Sequence, residues 1–152
     1  MTDPIAFDST TPRFALPLLY TAQTRKETFV NEAFVRTDVL LHCAIGGESV
    51  SPPKNPTDGD TWIVASKASG DWAGNDGMLA SYQSGGWTFI TPRDGMRVFD
   101  RSTGQDRLFS GSWRKASPPT EPVGGSTVDG EARAAIANLV ASLQAVGILP
   151  SV

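Results

Sequence analysis

The sequence predicts an α+β fold in which a small antiparallel sheet lies between an N-terminal and a C-terminal helix. Residues 58–115 contain short apolar runs separated by glycine-centred turns, a pattern typical of a β-meander. Residues 24–45 and 129–146 instead place apolar side chains at three- and four-residue steps, which indicates helices. The 152 residues suffice for one domain with appendages. The predicted parts are an extended arm (1–20), a domain of helix plus meander (21–115), a Pro/Gly linker (116–128) and a terminal oligomerisation helix (129–152).

The predicted meander contains one pattern twice. Tyr82 and Phe109 are each followed by a Ser-Gly turn and then by a tryptophan, Trp87 or Trp113. In a hairpin, such an aromatic residue and tryptophan pair across the strands, which stabilises a sheet by roughly 0.2–1 kcal/mol. The repeat therefore predicts two hairpins.

The first helix is predicted to begin at a capping box, in which Thr24 and Glu27 bind free amides of the first turn. Gly46-Gly47 is the predicted stop, because glycine tolerates the left-handed conformation that ends helices. His42 and Cys43 are then helical neighbours whose side chains diverge by about 100°. They cannot form a nucleophile–base pair, and Cys43 is expected to be a small buried apolar residue.

The terminal helix has the seam of a coiled coil. Its apolar residues follow a 4-3-4-3 spacing, and Gly147 ends it. A helix of about two heptads is marginal in water, so its seam has to be covered, either by its own domain or by other copies. We expect a homo-oligomer formed through Ile136, Leu139, Leu143 and Val146.

The N-terminal arm is rich in proline and ends in an apolar stretch. Such a segment cannot bury its own side chains, so it lies either on its own domain or on a partner. Both alternatives are open from the sequence. The residues expected to anchor the chain to a partner are Phe14, Leu16, Leu18, Leu19 and Tyr20.

Composition and spacing disfavour several classes of function. The net charge of −3 gives no general attraction to nucleic acid. The apolar stretch of the arm is too short to span a membrane and is broken by Pro17. One cysteine and one histidine are too few for a Cys/His metal site, and no glycine-rich loop has phosphate-binding spacing. We therefore expect no metal, no cofactor and no enzyme. A glycan hydrolase is the disfavoured third hypothesis, since its paired carboxylates are set in space and not in sequence.

The four tryptophans divide into two groups. Trp62, Trp87 and Trp113 lie in predicted strands and are expected in the core. Trp72 lies in the polar, glycine-rich loop 70–77, and we expect an exposed platform there that can stack on a sugar ring. Trp72 is the basis of one functional hypothesis, a polysaccharide-binding module that contacts a host capsule or cell wall.

Several motifs along the chain carry a resemblance to a known family. They include Asp58-Gly59-Asp60-Thr61-Trp62-Ile63-Val64, Gly85-Gly86-Trp87 and Pro92-Arg93-Asp94-Gly95-Met96, together with residues 14–23 and the Ala-rich helix near residue 132. With them the chain resembles an uncharacterised domain family, domain of unknown function 2793, of alphaproteobacterial prophages and gene transfer agents.

The resemblance implies a virion structural protein that is made in the bacterial cytoplasm and carried on a phage-like particle. Its partners would be capsid or tail proteins and further copies of itself, in a trimer, and it brings no catalytic residues. Because nothing in the chain is long enough to be a receptor-reading module, a base or adaptor is favoured. The leading hypothesis is an oligomeric head-spike or tail-fibre component involved in host attachment, and the alternative is the polysaccharide-binding module.

Overall fold

The computed structural model describes residues 10, 11, 14, 16–19, 22, 24–120, 123, 124 and 129–151. Within these residues the chain forms two α-helices and eight strands in two four-stranded sheets, which confirms the predicted α+β class. The helices are α1 (Lys26–Leu40) and α2 (Gly130–Ala145), and a short 3-10 turn covers Gly70–Trp72. The strands are β1 (Ala44–Ile45), β2 (Glu48–Ser49), β3 (Thr61–Val64), β4 (Leu79–Gln83), β5 (Gly86–Ile90), β6 (Arg97–Asp100), β7 (Gln105–Phe109) and β8 (Trp113–Lys115).

The predicted meander is divided between two sheets. Sheet A has the strand order β2-β3-β4-β5 and sheet B the order β1-β6-β7-β8. In each sheet the last three strands form an antiparallel meander, and a two-residue strand extends it in parallel. The strands β1 and β2 both come from residues 44–49, which we call the crossover segment, so one short stretch of chain contributes to both sheets.

Glycine is required at the point where the crossover segment changes sheets. The Gly46 N–H donates to the Thr61 carbonyl at 2.8 Å. A Cβ atom at Gly46 would lie 2.7 Å from Cζ2 of Trp62, closer than the two atoms can approach. The glycine pair predicted to stop a helix therefore serves to connect two strands.

Both predicted hairpins are confirmed, and their aromatic pairs face each other as expected. Tyr82 is the register partner of Trp87, with ring centroids 5.0 Å apart. Phe109 is the partner of Trp113, at 5.2 Å. The turn of the first hairpin contains Ser84, whose φ of 52° is the left-handed conformation that two-residue hairpin turns require.

The main core lies between the two sheets. Because alternate residues of a strand face opposite sides, Ile63, Leu79 and Ile90 point from sheet A towards Val98 of sheet B. Cys43 is part of this core, as predicted, and burial raises the pKa of its thiol to about 11. The opposite face of sheet A carries a second apolar cluster, in which Val64, Trp72 and Ala80 are buried and Trp62, Ala68, Trp87 and Phe89 pack against them.

An ion-pair network connects the two sheets, with Asp100 and Arg107 buried and Glu48 exposed. Asp100 is fully buried, and Arg107 Nη2 lies 2.7 Å from its Oδ2. Arg107 Nη1 reaches Glu48 Oε2 at 2.9 Å, and Glu48 belongs to β2 of sheet A. Burial by itself would raise the pKa of Asp100, but hydrogen bonds from Ser102 and Arg107 and the charge of Arg107 lower it below its usual value.

The first helix differs from the prediction at both ends. It begins at Lys26 after Arg25, which has a left-handed φ of 53°, and the N-cap makes no side-chain hydrogen bond, so the capping box of Thr24 and Glu27 is wrong. It ends at Leu40, because the following residues pair with sheet B. The Phe99 N–H donates to the Cys43 carbonyl at 2.8 Å, and this pairing overrides the helical spacing of the apolar residues.

The terminal helix agrees with the prediction to within one residue at each end. Asp129 is its N-cap, and its Oδ1 accepts from the Ala132 N–H at 2.9 Å. Val146 is the C-cap and so lies one position beyond the helix. Gly147 follows with a φ of 72°, as expected of a residue that ends a helix.

Candidate functional site

The described residues of the arm turn back on themselves, and Phe14 among them contacts the core of its own domain. The Thr11 N–H donates to the Leu16 carbonyl at 2.9 Å, and the Leu16 N–H donates to Thr11 Oγ1 at 3.0 Å. The ring of Phe14 between them packs against the core between the sheets. Phe14 therefore covers its own domain, the alternative that the sequence had left open.

The remaining predicted anchoring residues are placed differently. Leu16 and Leu18 are half-buried, whereas Leu19 is 55% exposed. Tyr20 lies outside the described residues. Leu19 is thus the described arm residue best placed to contact a partner.

The predicted seam of α2 lies largely on the surface. Ile136, Leu139 and Val146 are about half to two-thirds exposed, and Leu143 is half-buried. Next to the seam, α2 and linker residues 118–120 border a groove of about 730 Å³. The helix therefore offers an apolar face with a groove beside it.

The end of α2 is fixed to sheet B. The Asp106 N–H donates to the Gly147 carbonyl at 2.6 Å, and the Ser151 N–H donates to the Thr103 carbonyl at 3.1 Å. Leu149, between these bonds, is only 6% exposed. The helix is thus held at its C-terminal end while its apolar face stays open.

Trp72 is not the exposed platform that the sequence predicted. Its side chain is fully buried in the second cluster, and its ring meets the ring of Trp87 edge-on, with centroids 5.0 Å apart and an interplanar angle of 88°. Loop 70–77 looked polar because its glycines and acidic residues form turns. The 3-10 turn at Gly70–Trp72 nevertheless directs the indole onto sheet A.

A different aromatic surface lies next to Trp72, on the same face of sheet A. Tyr82, Trp87 and Phe89 project from one face of the β4–β5 hairpin, and all three are half-buried. Together with the proline-rich stretch 52–56 they border a groove of about 370 Å³, which we call the aromatic groove. The exposed side chains of Lys54 and Asp71 also line it.

The alternation of residues in β5 predicts that two aromatic rings share one face of the strand, but it does not predict whether that face is covered. Trp87 and Phe89 alternate with Thr88, which places both rings on one side of the strand. Whether that side faces the core or the surface depends on what lies over it. Residues far away in sequence decide this, because Trp72 covers only part of the face and leaves the rest to the groove.

Two acidic side chains in loops, Asp58 and Asp76, accept hydrogen bonds from backbone N–H groups. Asp58 Oδ1 accepts from the Ser84 N–H at 2.9 Å. Asp76 accepts from the N–H groups of Lys67 and Ala68 at 2.8 and 3.1 Å. Within the described ranges, no three Cys, His, Asp or Glu side chains come close enough to hold a metal ion.

Neither α1 nor α2, the helices of the described part of the chain, has the length and apolar character needed to cross a membrane.

No curated protein matches the chain. A family model described as "Protein of unknown function (DUF2793)" matches residues 30–115, more than half of the chain, from within α1 to the end of β8. The chain therefore belongs to the DUF2793 family.

Proposed function

We propose that this protein is a structural component of a phage-like particle, a phage or a gene transfer agent, and acts as an oligomeric base or adaptor of a head spike or tail fibre. The assignment to a particle rests on the resemblance of the chain to prophage and gene transfer agent domains. The protein takes part in host attachment without chemistry of its own. Its partners are further copies of the chain and the capsid or tail proteins beside it.

One structural observation carries the proposal that copies of the chain assemble. The C-terminal segment 147–151 fixes one end of α2 to sheet B, yet Leu139 on the seam is 59% exposed. A large exposed apolar patch on a folded chain marks a surface that meets another protein. A closed cyclic assembly buries the same face in every copy, which suits a seam that repeats along one helix.

Charges placed in the seam should split the assembly. We expect the variant Leu139→Asp with Leu143→Asp to be monomeric, since association would bury two unpaired carboxylates in every copy. Light scattering should report a multiple of 16.1 kDa for the unmodified chain and 16.1 kDa for the variant. A trimer is the expected oligomer, a number that the resemblance supplies.

The matched control adds the same two charges to the other side of α2. Asn138→Asp with Ala141→Asp changes two exposed residues that lie away from the seam. This control should assemble like the unmodified chain. Self-association through the seam is wrong if the unmodified chain is a monomer well above micromolar concentration, or if both variants assemble equally.

Incorporation into the particle should depend on the exposed end of the arm. We expect Leu19→Asp to reduce the amount of protein that copurifies with particles while leaving its thermal unfolding unchanged, because Leu19 is 55% exposed and a charge there disturbs a partner rather than the core. Leu41→Asp, at a leucine of α1's C-cap that is 64% exposed, is the control. Equal occupancy of both variants on particles would refute an anchoring role of Leu19.

A further inference from the structure

We infer that the aromatic groove on sheet A is a binding site for an uncharged polysaccharide, with Tyr82 and Trp87 as the stacking rings and Lys54 and Asp71 as the hydrogen-bonding groups. This goes beyond the proposed function, because it concerns a site that binds a carbohydrate and does not depend on the assembly of copies. It also replaces Trp72 as the carbohydrate contact.

The rings of the groove are held in place before any ligand binds. Trp87 is fixed between two aromatic neighbours, Tyr82 at 5.0 Å and the buried Trp72 at 5.0 Å. The half-buried Trp87 therefore keeps its orientation while part of its surface faces the groove. A preformed aromatic surface loses little conformational entropy on binding, which favours binding of a ligand in the groove.

The opposite wall of the groove is stiff as well. It consists of Pro52, Pro53 and Pro56, whose rings fix the backbone φ. The start of this wall is tied to the loop before Trp72, because the Ser69 N–H donates to the Val50 carbonyl at 2.8 Å. At about 370 Å³ the groove lies at the lower end of the range of roughly 300–1,000 Å³ that is typical of small-molecule sites.

The polar groups determine the class of ligand. A sugar presents apolar C–H faces to aromatic rings and hydroxyl groups around its edge, and a groove with both kinds of surface matches it. Its hydroxyls can donate to the Asp71 carboxylate and accept from the Lys54 ammonium group. Because these two charges are opposite, an anionic polymer gains at Lys54 and loses at Asp71, so a neutral polysaccharide is favoured.

The observations favour a carbohydrate over a peptide. Peptide grooves on a sheet commonly use the free edge of a strand for backbone hydrogen bonds. The residues that line the aromatic groove instead present side chains from the face of the β4–β5 hairpin, and prolines, which lack an N–H donor, form the wall. A proline-rich peptide is accordingly the competing ligand to test.

The test is a titration of the full chain with neutral and charged probes. Binding is measured by tryptophan fluorescence and by pull-down on beads to which the polymer is coupled. The probes are dextran, laminarin and galactomannan as neutral polysaccharides, alginate as an acidic one, and a proline-rich peptide. We expect binding to at least one neutral polymer, little change between low and high salt, and a shift of the tryptophan emission. In Asp71→Ala and in Tyr82→Ser the affinity should fall about tenfold or more, as the loss of a hydrogen bond to a charged group or of a stacked ring predicts.

The controls are exposed residues of the same types outside the groove. Asp38→Ala and Phe34→Ser on α1 should bind like the unmodified chain, and thermal unfolding checks that every variant is folded. The inference is overturned if no neutral polysaccharide binds, if the peptide or alginate binds in preference, or if changes in the groove leave binding unchanged. The monomeric α2 variant should still bind with the affinity of a single site, so a failure of oligomerisation and a failure of the groove give different results.

Discussion

Replacing Trp72 with alanine should lower the free energy of unfolding by roughly 3–5 kcal/mol, the cost of removing a large aromatic side chain from a core. Trp72 is fully buried, and its ring supports Trp87 edge-on and packs with Val64 and Ala80. Urea denaturation followed by far-UV circular dichroism measures the change. If the variant is as stable as the unmodified chain, Trp72 is an exposed loop residue after all.

Trp72→Phe separates the packing of the ring from its N–H group. Among the described residues, the buried Nε1 of Trp72 has no hydrogen-bond partner. Phenylalanine keeps an aromatic ring against Trp87 and removes this unpaired donor, whose burial is unfavourable. We therefore expect Trp72→Phe to cost much less than Trp72→Ala, with the affinity of the groove for polysaccharide largely retained.

Replacing Arg107 with alanine should destabilise the fold by a similar amount, roughly 3–5 kcal/mol, as when one partner of a buried ion pair is lost. The change leaves Asp100 buried without its cation and removes the link to Glu48 on the other sheet. The matched control is Arg97→Ala. Arg97 is exposed and lies 4.0 Å from Asp106, so its loss should cost at most about 1 kcal/mol.

The same network predicts a dependence of stability on pH. The folded pKa of Asp100 lies below its unfolded value, so the contribution of this group is complete above the unfolded pKa and is lost as the pH falls through the folded pKa. In Arg107→Ala two of the causes that lower the pKa of Asp100 are gone, so its folded pKa should lie higher, and the loss of stability with falling pH should be smaller than in the unmodified chain. Urea midpoints measured between pH 7 and pH 3 test this, and parallel curves for the two proteins would contradict it.

Local patterns predicted the elements whose stabilising contacts are also local. The hairpins at 82–87 and 109–113 and the helix between Asp129 and Gly147 were foreseen, because cross-strand pairs, an N-cap and a C-terminal glycine all act within a few residues. For α1 the same reasoning failed at the C-terminal end. Residues 41–45 continue the helical spacing, but Ala44 pairs with Phe99, a residue far along the chain.

The candidate site could be predicted only in part, for the same reason. The composition indicated that aromatic residues on a small sheet could bind a sugar, which led to Trp72 because its loop is polar. The exposure of each aromatic side chain is decided by packing between distant segments. The 3-10 turn places Trp72 on sheet A, whereas the prolines at 52–56 leave part of Trp87 open to the groove. The aromatic groove therefore follows from the tertiary structure and not from the loop that suggested it.

The crossover segment also has a consequence for how the chain folds. The β4–β5 hairpin and the meander of β6, β7 and β8 can form early, since their strands are joined by short connections and their contacts are local. The parallel pairs reach further along the chain, because Ala44 pairs with Phe99, while the neighbouring Glu48 pairs with Ile63 of the other sheet. Gly46 packs closely against the ring of Trp62. When the crossover segment docks on one sheet, it is therefore also positioned against the other sheet. The crossover segment thus supplies one edge strand to each sheet, and we expect this link to make the two sheets unfold as one cooperative unit.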